Sequence, residues 1–72
     1  MSMENTVIHV RFAPNGWVVE IGERPDSLSP QQWFNWLSLN VPAHYRALAG
    51  GRGVFKVASG EVEMLQKTSM AS

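Results

Sequence analysis

The chain has 72 residues, no cysteine, and six Lys and Arg against six Asp and Glu, a formal net charge of zero. That length holds one domain and buries only about 60% of the surface its unfolded form exposes, while the lack of cysteine removes disulfides, thiolate zinc sites and a cysteine nucleophile together. Zero net charge supplies no long-range field to gather nucleic acid or an anionic membrane. No run of about 18 apolar residues occurs, and residues 1–6 lack the parts of a signal peptide, so the chain reads as a cytoplasmic domain with no membrane partner.

Residues 1–6 read as a flexible N-terminus. From Val7 to Phe12 the residues alternate, with Ile8, Val10 and Phe12 on one side and Val7, His9 and Arg11 on the other, the period of a half-buried strand. Trp17, Val19 and Ile21 continue the alternation beyond Asn15-Gly16, a dipeptide that favours hairpin turns because both residues tolerate positive φ. With a two- or four-residue loop, parity sets Phe12, Val10 and Ile8 against Trp17, Val19 and Ile21 on the core face.

Leu28-Ser29-Pro30-Gln31-Gln32-Trp33 carries agreeing helix-start signals: Ser29 as cap, Pro30 at the first helical position, Gln32 to close a capping box, and Leu28 to staple against Trp33. The helix should end near Asn40-Val41, before Pro42. Pro42 to Ala49 reads as a second, shorter helix stopped by Gly50-Gly51. A second hairpin is expected about Ser59-Gly60, with Val57 opposite Val62, Phe55 opposite Met64 and Lys56 opposite Glu63. Periodicity is lost after Leu65. The chain thus reads as a single α+β domain over residues 7–66 with a disordered tail at 67–72. Its architecture would be β-hairpin, helix, short helix, β-hairpin, in an antiparallel sheet packed on one side by the helices. Strand order is not readable from the sequence.

Catalytic chemistry finds no foothold. His9 and His44 have no carboxylate or second histidine at ligand spacing on their own elements. Glu61 and Glu63, expected on one strand face, lack an opposing acid. No serine sits in a Gly-x-Ser-x-Gly turn. Gly50-Gly51-Arg52-Gly53 could hold an anion on clustered amides, yet it lacks the Lys-Ser ending of a phosphate-binding loop and reads as a helix-to-strand joint. The expectation is no enzyme, no catalytic residue, no metal and no cofactor.

Binding is the remaining class. On a helical wheel Trp33, Phe34, Trp36, Leu37 and Val41 cover an arc of roughly 160°, wider than a one-sided surface helix needs. Trp36 and Leu39 then stand at the rim as a candidate protein anchor. The sheet face away from the helices offers Val7, Val18, Val54 and Leu65 among charged residues, a surface on which two copies could stack as a homodimer. The leading expectation is a noncatalytic protein-binding or regulatory module whose partner is another protein chain, self or other, a composition that suits bacterial accessory and mobile-element gene products. The alternative is a single-stranded RNA or DNA module using Arg11, Arg46, Arg52 and Lys56. Because Phe12, Trp17 and Phe55 are assigned to the core, nucleic acid is the less expected partner.

Overall fold

The computed structural model describes residues 5–71, so the N-terminal segment read as flexible lies, for residues 1–4, outside the described residues. Two strands, β1 (Asn5–Phe12) and β2 (Val18–Ile21), precede α1 (Pro30–Asn40); a single 3₁₀ turn (Pro42–His44) leads to β3 (Tyr45–Leu48), β4 (Arg52–Ala58) and α2 (Ser59–Ala71). The sheet order is β2-β1-β4-β3, every neighbouring pair antiparallel. The chain is therefore a small α+β domain, an antiparallel sheet with two helices packed against it.

The first hairpin forms where Asn15-Gly16 places it, with Gly16 at φ 92° and its N–H donating to the Ala13 carbonyl. Its register differs from simple parity. Val10 pairs with Ile21 and Arg11 with Glu20, but Phe12 pairs with Val18, leaving Val19 as the extra residue of a bulge. One inserted residue reverses the faces beyond it. Val18, expected outside, is buried, whereas Trp17 and Val19, expected in the core, are 61% and 48% exposed.

At α1 the local chemistry acts as its residues dictate. The Ser29 hydroxyl accepts from the Gln32 N–H, the Gln32 side chain accepts from the Ser29 N–H, and Pro30 occupies the first turn. Gln31, one residue away, accepts from the Val18 N–H at 2.8 Å, so a helix side chain satisfies a donor on the edge strand β2 and blunts that edge.

The second half departs from expectation. Residues 42–49 form one 3₁₀ turn and then β3, because Tyr45 to Leu48 pair along β4 from Phe55 to Arg52. Gly50 and Gly51 do take positive φ, 78° and 72°, but they turn a hairpin rather than end a helix. The hairpin expected about Ser59-Gly60 is absent: β4 passes directly into α2, which runs to Ala71 through the segment read as a disordered tail. Glu61 to Ala71 is rich in helix formers, Val62 and Ser69 fall on one buried helical face, and Glu63 pairs with Lys67 at 3.2 Å, one turn on.

Both helices lie on the face that carries Ile8, Val10, Phe55 and Val57; Trp33, Leu37 and Val62 complete the core there. Trp33 is wholly buried, and its indole N–H donates to the Gly22 carbonyl at 3.0 Å. Phe34 sits edge-on to Phe12, Tyr45 and Phe55, centroids 5.3–5.8 Å away, which fastens α1 across three strands. Tyr45 in turn lies directly over Gly53, where a Cβ would collide with its ring. Gly53→Ala is expected to cost about 1–3 kcal/mol by displacing that ring, and to cost almost nothing in a Tyr45→Ala background; urea unfolding of the four chains in this double-mutant cycle checks the coupling.

Candidate functional site

With both helices on one side, the other face of the sheet has no layer over it among the described residues. Strand alternation assigns its residues. Glu20, Arg11, Arg52 and Leu48 form one cross-strand row, His9, Val54 and Arg46 the next, and Val7 with Lys56 the third. Rows stand about 7 Å apart and strands about 4.8 Å apart. Four of the six Lys and Arg residues of the chain thus share this face, accompanied by His9 and by the carboxylate of Glu20.

Glu20 meets Arg11 at 3.1 Å, both side chains being largely exposed. Among the described residues Arg46, Arg52 and Lys56 have no carboxylate partner. The described residues of the face carry a net of three positive charges in a chain whose total is zero. Of the other acids, Glu23 and Asp26 lie in the β2 to α1 connection and Glu61 and Glu63 on α2, and Glu4 lies outside the described residues. Between β2, β1 and β4 the face sinks into an open cleft of about 480 Å³ bordered by His9, Arg11, Glu20, Gly22 and Arg52.

Val54 is only 5% exposed although it stands on the open face. Its neighbours there are His9 and Arg46 across the ladder and Arg52 and Lys56 along the strand, and the arginine and lysine stems are long enough to cover a central valine with their charged ends in water. This removes Val54 from the surface proposed for protein contact. Val18 is buried in the core, and Leu65 is half-buried on α2, not on the sheet. Trp36 is half-buried and stacked parallel on Trp33, centroids 5.9 Å apart. Only Val7, 38% exposed on the sheet, and Leu39, 82% exposed on α1, remain open, and they belong to different elements on different sides of the fold.

The set Arg11, Arg46, Arg52 and Lys56, by contrast, converges. Sequence reasoning missed that convergence because it left Arg46 on a helix and set Glu61 and Glu63 beside Lys56. The available signal was Tyr45-Arg46-Ala47-Leu48 alternating ahead of Gly50-Gly51, with a second alternating run from Arg52 onward. His44 lies in the 3₁₀ turn that precedes β3, and no three His, Asp or Glu side chains converge among the described residues. No protein-family model, curated protein or solved structure matches the chain.

Because these charges are exposed and only one is paired, they contribute little to folding. Arg46→Glu, Arg52→Glu and Lys56→Glu are each expected to shift stability by less than about 0.5 kcal/mol, whereas Val54→Asp, which places a charge at a buried position, should lower it by several kcal/mol; thermal unfolding of the four variants checks both.

Proposed function

We propose that this protein is a noncatalytic module that binds single-stranded nucleic acid along the open face of its sheet. The observation that supports the reading is the gathering of Arg11, Arg46, Arg52 and Lys56 on one surface, with Glu20 the sole acid among them in the described residues. Phosphate contacts supply most of the affinity in such complexes through release of condensed counterions. A band of guanidinium and ammonium groups about 7 Å apart from row to row presents donors along a path a flexible strand can follow. The order of expectation is thereby reversed relative to composition: total charge is a property of the whole chain, whereas a strand meets one face.

Anisotropy of labelled oligothymidylate of about twelve nucleotides, titrated over a range of salt, tests the reading. With about four phosphates neutralised, log Kd should rise with log salt at a slope near 3. The combined Arg46→Glu, Arg52→Glu, Lys56→Glu variant should lose binding at least ten-fold while remaining folded. Binding that ignores these substitutions, or an equal preference for polyglutamate, defeats it.

A protein contact at α1 is a second reading, favoured by one observation: Leu39 leaves 82% of its surface in water one turn from the Trp33–Trp36 stack. Leu39→Asp should leave the melting temperature unchanged and reduce any self-association seen in solution mass; an unchanged mass distribution removes this reading.

A further inference from the structure

Six of the seven aromatic residues, Phe12, Trp33, Phe34, Trp36, Tyr45 and Phe55, take part in ring contacts on the helix-covered side. Trp17 is the exception, and it is 61% exposed. Its backbone is nevertheless held: the Trp17 N–H donates to the Asn15 side-chain oxygen at 3.1 Å and its carbonyl accepts from Ala13 at 2.7 Å. Ala13 follows inward-facing Phe12, so alternation places Ala13, and Trp17 across from it, on the same side as Arg11. The loop that leads into Arg52 is tied to this end as well, since Phe12 donates to the Gly51 carbonyl at 2.8 Å.

One end of the cationic band therefore holds two guanidiniums set opposite each other on β1 and β4, a cleft that they border with His9 and with the Glu20 carboxylate bound to Arg11, and, outside the cleft lining at the hairpin end, an exposed indole. The cleft's volume, about 480 Å³, falls within the range of small-ligand sites and has room for one nucleotide. Charge complementarity selects a phosphate for Arg11 and Arg52. The free indole face selects a planar ring beside it. We propose that Trp17 stacks on a base of the bound strand while Arg11 and Arg52 hold the adjoining phosphate, so that this corner anchors the strand and the remaining cations track its backbone. The proposal rests on the nucleic-acid reading of the open face and adds the recognition of a base to it.

The experiment compares oligothymidylate with an abasic strand of the same length, which keeps the phosphates and sugars but has no ring to stack. Trp17→Ala should weaken oligothymidylate binding about ten-fold or more, leave abasic binding and the salt slope unchanged, and melt as the parent does; Trp17→Phe should restore most of the affinity. Quenching of tryptophan fluorescence on adding oligothymidylate should disappear in Trp17→Phe although Trp33 and Trp36 remain. Equal losses on both strands, or no loss on either, overturn the stacking role. Loss with the Arg46, Arg52, Lys56 variant but not with Trp17→Ala rejects only the stacking role. Absence of oligonucleotide binding by the parent protein rejects both.

Discussion

The uncovered face of the sheet follows from where α1 buries its aromatic side. Trp33 is completely buried and its indole N–H reaches the Gly22 carbonyl, while Phe34 packs edge-on against Phe12, Tyr45 and Phe55. Burial of one large aromatic side chain stabilises by about 3 kcal/mol or more, a large share of what a core of this size supplies. Placing α1 there commits one face of the sheet to the interior, and Val62 of α2 closes the same core. Among the described residues no third layer is left to cover the other face.

The Trp33 hydrogen bond also joins the core to the candidate site. Gly22 donates to the His9 carbonyl at 2.9 Å and borders the cleft that holds Arg11, Glu20 and Arg52, so the same residue receives the indole from the core side and fixes the rim on the outer side. Gln31 does comparable work at the other end of β2, accepting from Val18. Two side chains of α1 thus hold a four-residue edge strand that would otherwise have only β1 as a partner.

How far the residues disclose the fold depends on how many independent signals coincide. At α1 the cap, the proline, the capping-box glutamine and the apolar stripe agree, and the helix begins as read. At residues 61–65 the alternation of Val62 and Met64 spans too few positions to separate strand from helix, and the helix-forming residues after it decide the outcome. Gly50-Gly51 discloses positive φ but not which elements it joins, since a helix stop and a hairpin loop use the same backbone freedom. The bulge at Val19 leaves no mark in the sequence that parity can detect, yet it alone transfers Val18 to the core and Trp17 to the surface. The candidate site suffered most from these errors, because each of them moved a charge or a ring from one face to the other.

Net charge misled for a different reason. A total of zero is a monopole, and at physiological salt exposed charges act over about 8 Å, less than the distance across a sheet of four strands. A ligand approaching the open face is therefore governed first by Arg11, Arg46, Arg52, Lys56 and Glu20, with Glu23 following directly on the Gly22 that borders the cleft. The same screening length bears on self-association: stacking two copies face to face would set a net of three positive charges on each against the other at the roughly 10 Å separation of packed sheets, after stripping water from unpaired guanidiniums. Val54, the most central apolar residue of the face, is already covered and would return little area for that cost. A dimer by sheet stacking is thus opposed by charge, and the apolar surface it could use lies away from Val54, on Val7, Leu48 and Trp17; a polyanion would meet each cation with an oxygen instead.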